Sequence, residues 1–314
     1  MTRFRHQEAG KVQSPVPAIL TFLQELLDNG LAFSTVKVYF AAISACHVGF
    51  GDKTAGQHPL ICQFMKAARR LRPVSRSLTA PWNLSLVLEA VSRTPFEPLQ
   101  QVDLRMLSLK TALLLALASA KRVSDIHALS VNPACMQFFM GGHKVLLKPN
   151  PAFVPKVFNQ ATSYRPIELA PFYPPPFATQ EHEALNALCP VRALRAYVDR
   201  TAGLRKSEQL FVSWAASHLG EPLTKQRLSH WIVDAISIAY NSRGLQPPAG
   251  LRAHSTRGVA ASWALFRGVS VEEICAAASW ASPHTFTRFY NLDVTAPSVS
   301  HAVLGVGSVP NVSA

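Results

Sequence analysis

The residues of this chain that could carry out covalent chemistry are concentrated between positions 251 and 293. His254 and Arg257 stand three positions apart, Trp280 follows them, and Tyr290 comes near the end of the stretch. A phenol can act as a nucleophile when a neighbouring base takes its proton. A guanidinium can donate two parallel hydrogen bonds to a phosphate, and an indole N–H is a donor only. These residue types suit the transfer of a phosphodiester onto a tyrosine.

A reaction of this kind needs further groups from elsewhere in the chain. A second guanidinium would hold the other phosphate oxygens, where charge builds up during the transfer. Arg122 comes directly after a long apolar helix and stands three positions before Asp125. An acid must also protonate the leaving oxygen, and a lysine can do so. Three lysines, Lys144, Lys148 and Lys156, lie in a region patterned as strands.

Several other kinds of site are missing from the sequence. It contains no phosphate-binding loop of the G-x-x-x-x-G-K type, no G-x-G-x-x-G after a predicted strand, no H-E-x-x-H and no G-x-S-x-G. Histidine spacing typical of a metal site is missing too. We therefore expect neither a metal nor a cofactor.

The charge of the chain indicates a polyanionic partner. It has 31 Lys and Arg against 18 Asp and Glu, a net charge of +13 and a pI near 9.9. This balance favours nucleic acid, although a basic protein without that role would show it as well. Residues 1–78 carry ten of the basic and four of the acidic residues, so positive charge is denser at the front. Candidate DNA contacts are Lys66, Arg69, Arg70 and Arg72 near one helix end, where the helix dipole also favours cations, and Lys225 and Arg227 on a later amphipathic helix.

The elements that must position these residues are mainly helical. The chain predicts a polar arm over 1–14, a helical unit over 15–78, a larger unit over 79–293 and a Val, Ser, Gly and Pro-rich tail over 294–314. Pro73–Pro81 reads as the linker between the two units. Short apolar runs between 136 and 169, separated by turn residues, predict a small antiparallel sheet. The fold class is therefore mainly α with a small antiparallel β-sheet.

Individual elements can be placed more closely. Ser14 is expected to cap the first helix, which Gly30 ends. The third helix, roughly His58–Leu71, is expected to bury Leu60, Ile61, Phe64 and Leu71. Strands are predicted at MQFFM, HKVLL, AFVPKV and YRPIEL, with a further strand-like run at QLFVSW. Later helices are expected over Pro190–Thr201, Thr224–Ser242, Ser255–Arg267, Val271–Ser279 and Pro283–Tyr290.

Cysteine usage and hydropathy favour an intracellular protein. The five cysteines form no disulfide framework, as expected in a reducing compartment. The first ten residues are polar and do not read as a secretory signal. The longest apolar run, Ala112–Ala120, is about half the length of a membrane span. We expect a soluble protein that does not bind membranes.

Three segments resemble the conserved boxes of tyrosine recombinases. AKRVSDIHALS is similar to the first arginine box, with Arg122 and Asp125 at its key positions. RAHSTRGVAASWALFRGVS is similar to the second, with His254 and Arg257. AAASWASPHTFTRFYNLD is similar to the third, with Trp280 before the nucleophile Tyr290, one position farther apart than the family pattern places them. The resemblance covers about residues 15–293. The hairpin run KVLLKPNPAFVPKV and the phrase RAHSTRG are most similar to recombinases of DIRS-like retrotransposons.

The resemblance implies a role for each of these residues. Tyr290 would attack the scissile phosphate of double-stranded DNA and form a 3′-phosphotyrosyl link, while Arg122, Arg257 and Trp280 hold the phosphate and His254 assists proton transfer. Lys156 would protonate the leaving oxygen if the hairpin turn lies at Phe158–Ser163; Lys148 takes its place if the turn lies at Pro149–Pro151. The front helical unit would be the core-binding domain, and the active form a homotetramer on DNA. A nuclear location follows from the substrate.

Structural roles and other functions would also explain some of these residues. Trp280 could be a core anchor, and Tyr290 could belong to an aromatic core stripe with Phe286 and Phe289. A DNA-binding protein without catalysis would explain the charge equally well. A type IB topoisomerase would use the same residues as a monomer.

Overall fold

The computed structural model describes residues 5–7, 11–73, 81–139, 144–156, 165–292 and 294. Its contacts divide the chain into two compact units, Met1–Ser77 and Leu78–Ala314. Apart from its ends, the predicted linker at Pro73–Pro81 lies outside the described residues, and so does the predicted tail beyond residue 294.

The first unit contains a short hairpin and three helices. Strand β1 (Arg5–Gln7) pairs antiparallel with β2 (Lys11–Gln13), within the segment predicted as a polar arm. Helices α1 (Val16–Asp28), α2 (Phe33–Cys46) and α3 (Pro59–Leu71) follow. Gly30 has a φ of 78°, a left-handed conformation that ends α1 as predicted. The inward faces of the three helices share one apolar core, formed by Ile19, Leu23, Leu27, Val36, Ala55, Ile61, Met65 and Ala68.

Two predictions in this unit were wrong in detail. Ser14 does not cap α1; its backbone N–H and carbonyl both contact Nε2 of the buried His47, at 2.9 and 2.8 Å. Pro15 occupies the capping position and makes no side-chain bond there. In α3, Leu60 and Leu71 are exposed at 54% and 74%. Met65 and Ala68 take the inward positions instead, because they continue the helical period from Ile61 and the predicted pair does not.

The second unit is built around one largely buried helix. Helices α4 (Leu84–Val91), α5 (Leu104–Ser119) and α6 (Val123–His127) come first, and most of α5 is buried. Next come α7 (Gln180–Asn186), α8 (Pro190–Thr201) and α9 (Lys225–Asn241). Both α8 and α9 pack along α5. The chain then forms α10 (Ser255–Phe266), α11 (Val271–Ala278) and α12 (Pro283–Phe289), and α10 also contacts α5.

A three-stranded antiparallel sheet completes this unit. Strands β3 (Met136–Phe139), β4 (Lys144–Leu147) and β5 (Ile167–Leu169) lie in the order β3-β4-β5. The mainly helical fold with a small antiparallel sheet is therefore confirmed. No strand forms in the described part of AFVPKV, where Asn150 organises a turn through Ala152 and Phe153. The segment QLFVSW forms isolated β-bridges and no continuous strand.

Among the described residues, no helix is both long and apolar enough to span a bilayer. Helix α5, which carries most of the longest apolar run of the sequence, has 16 residues and contributes to the protein core.

A buried ion cluster joins α5 to α8. Lys110, whose side chain has no exposed surface, pairs with the Glu97 carboxylate, which also receives two hydrogen bonds from Arg192 at 2.7 and 2.9 Å. Burial lowers the pKa of Lys110 to about 8, and the charge of Glu97 opposes that shift. The Glu97 carboxylate therefore pairs with the buried ammonium of Lys110 and the guanidinium of Arg192 at the same time.

We expect Glu97→Gln to lower the free energy of unfolding by about 3 kcal/mol, because it leaves a buried cation without its counter-charge. Urea unfolding measures the change. Glu89→Gln is the control: Glu89 pairs with Arg93 and Arg243 at the surface, and its loss should have a far smaller effect. Equal losses from the two variants would contradict this account.

Candidate active site

Tyr290 and His254 meet directly although 36 positions separate them. The Tyr290 hydroxyl lies 3.1 Å from Nε2 of His254, and the two rings pack edge to face with centroids 5.5 Å apart. His254 comes directly before α10, and Tyr290 directly after α12. This distance is suitable for a histidine that receives the phenol's proton.

Helix α10 holds the backbone at and just after Tyr290. Ser262 Oγ donates to the Tyr290 carbonyl at 2.8 Å and accepts from the Leu292 N–H at 2.8 Å. Gly258 leaves room for the same segment, since a Cβ there would lie 3.3 Å from a Leu292 methyl carbon. The sequence analysis did not single out Ser262, and a serine in an apolar helix offers no signal of such a role.

Arg257 is the most enclosed of the candidate residues, with 1% of its surface exposed. One terminal nitrogen donates to the Ala278 carbonyl at 2.6 Å. Its Nε and Nη1 are buried and have no hydrogen-bond partner among the described residues. Its Cζ lies 4.6 Å from the ring centroid of Trp280 and 5.4 Å from that of Tyr290. Burial and then the charge of Arg122 lower the pKa of Arg257 to about 10, so it stays charged at neutral pH.

Trp280 combines a packing contact with an unpaired donor. Its ring stacks on Tyr290 at 4.6 Å and on Phe286 at 5.7 Å, within a small apolar cluster formed by α10, α11 and α12. Its Nε1 is buried and also lacks a partner among the described residues. Three donor nitrogens, two from Arg257 and one from Trp280, therefore have no hydrogen-bond partner among the described residues. A buried polar group without a partner is costly, which makes such groups candidates for holding a ligand.

Arg122 lies at the junction of α5 and α6 and is half-buried. The Asp125 carboxylate accepts a hydrogen bond from the Arg122 backbone N–H at 3.2 Å and is 2% exposed. Asp125 thus shapes the turn that carries Arg122. The charge of Arg122 contributes to the lowered pKa values of both Arg257 and His254, which places it in the same electrostatic environment.

The structure separates the three candidate lysines. Lys144 pairs with Glu168 at 3.1 Å on neighbouring strands. Lys148 follows β4, and its backbone N–H bonds to the Cys135 carbonyl. Lys156 is exposed, and its charge contributes to the lowered pKa of His254. Lys156 is therefore the one of the three whose charge acts on His254. The turn expected at residues 158–163 lies outside the described residues.

The pKa of His254 is below its usual range for an identifiable set of reasons. Burial of part of the ring contributes most, followed by the positive charges of Arg257, Arg122 and Lys156. Each of these disfavours the imidazolium. The ring is therefore neutral at neutral pH and can accept a proton.

The candidate DNA contacts are all exposed. Lys66, Arg69 and Arg70 lie on the outer face of α3, and Arg72 follows that helix. Arg72 also donates to the Leu27 carbonyl at 3.0 Å, so part of its guanidinium closes the end of α1. In the second unit, Lys225 and Arg227 occupy the first turn of α9.

The sequence analysis missed Lys121. This residue precedes Arg122 and is 3% exposed, and its ammonium reaches Ser279 beside Trp280. Its position next to Arg122 was the only available signal, and a lysine after an apolar helix is usually a solvated side chain.

No protein-family model matches the chain, and no curated protein matches it either. Solved structures do match. The Tn1549 transposon integrase, in complex with transposon right end DNA, aligns with a TM-score of 0.53 and 11% identity, covering 95% of this chain and 85% of that one. The XerH site-specific recombinase bound to difH substrate gives 0.51 and 14%, covering 92% and 68%. A lambda integrase dimer bound to a core site gives 0.47 and 16%; the alignment covers 89% of this chain and 64% of the integrase chain.

The matches with the transposon integrase and XerH, both tyrosine recombinases, show that the chain has the tyrosine recombinase fold. The resemblance seen in the three sequence boxes is confirmed at the level of the fold.

We expect His254 to titrate below 6.5 when followed by NMR of its imidazole C–H signals, assigned with His254→Gln. Lys156→Met should raise the midpoint, because it removes one of the charges that oppose protonation. Lys144→Met is the control and should leave the midpoint in place, since Lys144 pairs with Glu168. Equal responses to the two variants would contradict the proximity of Lys156 to His254.

Proposed function

We propose that this chain is a tyrosine recombinase, which cuts and rejoins double-stranded DNA through a 3′-phosphotyrosyl intermediate. The observation that carries the proposal is the Tyr290–His254 contact beside the unused N–H groups of Arg257 and Trp280. A nucleophile with its base and a set of donors for the developing charge are the parts that phosphoryl transfer to a phenol requires. The fold supports the same conclusion.

The reaction can be written with this chain's own groups. The Tyr290 oxygen attacks the phosphorus and gives its proton to Nε2 of neutral His254. The bond from phosphorus to the 5′-oxygen breaks, and that oxygen takes a proton from Lys156. Arg122, Arg257 and Trp280 hold the non-bridging oxygens. Rejoining is the reverse, with a 5′-hydroxyl attacking the phosphotyrosine, so the bond energy is kept and the step needs no energy-supplying nucleotide.

We further infer the biological setting from the sequence resemblance. The runs KVLLKPNPAFVPKV and RAHSTRG resemble recombinases of DIRS-like retrotransposons, so we propose the ends of a mobile element as substrate and the nucleus as the site of action. A homotetramer bound to two duplexes is the proposed assembly, to be tested by the mass of the complex on DNA.

Tyr290→Phe should abolish the covalent adduct and leave DNA binding within about twofold of wild type, because it removes only the nucleophilic oxygen. The assay incubates each protein with a pool of randomised nicked duplexes and recovers DNA that stays attached after denaturation in detergent. Tyr173→Phe, at an exposed tyrosine, is the matched control and should form adduct normally.

The outcomes of this assay separate the rival functions. An adduct from Tyr290→Phe would contradict the assigned nucleophile. DNA binding with no adduct from wild type would favour a non-catalytic DNA-binding protein. Relaxation of supercoiled DNA without strand exchange between two recovered sites would favour a topoisomerase.

Removing three exposed charges from α3 tests the DNA interface. Lys66→Gln, Arg69→Gln and Arg70→Gln together should weaken binding and lower the slope of log affinity against log salt by about 2.7, at roughly 0.9 per phosphate contact. Fluorescence anisotropy at several salt concentrations measures the slope. Lys206→Gln is the control, since Lys206 pairs with Glu221 at 3.8 Å. An unchanged slope in the triple variant would remove α3 from the interface.

A further inference from the structure

We propose that Lys121 is a positioning residue for the nucleophile: its buried ammonium ties the segment that carries Trp280 and Tyr290 to the helix end that carries Arg122. The proposal rests on the proposed function, because it assigns Lys121 to the same reaction. Lys121 acts through Ser279 and has no direct role in the chemistry.

The contacts of Lys121 join three separate parts of the second unit. Its Nζ donates to Ser279 Oγ at 2.5 Å and to the Arg165 carbonyl at 3.3 Å. Lys121 directly precedes Arg122, Ser279 directly precedes Trp280, and Arg165 leads into β5. A side chain that is 3% exposed thus links the first arginine box, the sheet and the nucleophile segment.

The backbone of Ser279 indicates why the bond matters. Its φ and ψ are 52° and 50°, a left-handed conformation that strains a residue with a Cβ and that glycine adopts freely. A serine at the end of α11 is therefore unfavourable for the backbone alone. Its hydroxyl compensates by accepting the hydrogen bond from Lys121. The strained residue is the joint at which the chain turns from α11 towards α12.

A second cation holds the neighbouring residue. Arg257 donates to the Ala278 carbonyl at 2.6 Å, one position before Ser279. Two positive side chains, one from the junction of α5 and α6 and one from α10, therefore fix consecutive residues at the end of α11. The direction in which the chain leaves this joint determines where α12 lies and where Tyr290 meets His254.

Electrostatics support a role beyond packing. Burial and the charges of Arg257, Arg122 and Arg165 lower the pKa of Lys121 to about 8, and only Asp125 opposes them. A methionine would fill the same space without this conflict, so packing alone does not account for a lysine here. A lysine can donate the hydrogen bonds to Ser279 and Arg165, and a methionine cannot.

The test compares Lys121→Met, Ser279→Ala, Ser279→Gly and the double variant Lys121→Met/Ser279→Gly. Ser279→Gly is decisive, because it removes the hydroxyl and at the same time relieves the backbone strain. We expect each variant to bind the recovered duplex within about twofold of wild type. We expect single-turnover adduct formation at saturating duplex to fall at least tenfold, since a displacement of about 1 Å can cost about a hundredfold in rate. The double variant should be no slower than the slower single variant.

A normal rate in Ser279→Gly, or losses that multiply in the double variant, would overturn the proposal. Lys110→Met is the control, because it removes another buried lysine, which lies within α5 and pairs with Glu97. Its adduct rate per folded protein should match that of wild type; a fall equal to that of Lys121→Met would reduce the effect to general damage and overturn the proposal.

A second measurement does not depend on activity. If Ser279 holds Tyr290 against His254, Ser279→Gly should raise the His254 titration midpoint towards 6.5, since it exposes the ring without removing a charge. An unchanged midpoint would overturn the positioning role. Wild type that forms no adduct would count against the recombinase proposal, and this titration would still decide whether Ser279, the partner of Lys121, positions Tyr290.

Discussion

The buried guanidinium of Arg257 is the constraint on which the candidate site depends. A charge taken out of water must be compensated by nearby dipoles or π-faces, and Arg257 obtains this from the Ala278 carbonyl and from the rings of Trp280 and Tyr290. Each partner belongs to the segment after α10. The cost of burying one cation therefore selects the arrangement of α11, α12 and the tyrosine that follows them.

The same constraint leaves the site with an excess of positive charge. Besides burial, the charges of Arg257 and Arg122 lower the pKa of Lys121 and of His254, and Arg122 also lowers that of Arg257. The charge of Asp125 opposes the shifts of Lys121 and Arg257. An anion that binds here would reduce the repulsion between these positive charges and accept hydrogen bonds from the unpartnered nitrogens of Arg257 and Trp280. The site is thus electrostatically suited to an anion such as the phosphate of the proposed reaction, whose charge preorganised donors would stabilise. The same positive charges contribute to the lowered pKa of His254.

The sequence predicted the fold class and which residues could act together, because box spacing and helical periodicity are local signals. The structure does bring His254, Arg257, Trp280 and Tyr290 into contact. Lys121 and Ser262 could not be predicted in this way, since their partners lie 158 and 28 positions away and no spacing rule connects them. Ser14 was misjudged because His47, 33 positions later, competes for its backbone. Helix α7 was overlooked because the proline-rich run before it dominates the local pattern.

The two hydrogen bonds of Ser262 have a mechanical consequence. They bind the Tyr290 carbonyl and the Leu292 N–H, so the chain is attached to α10 immediately after the tyrosine side chain. A force applied to the polypeptide after Leu292 would be borne by α10 rather than by the phenol. This attachment shields Tyr290 and its contact with His254 from strain transmitted along the chain from beyond Leu292.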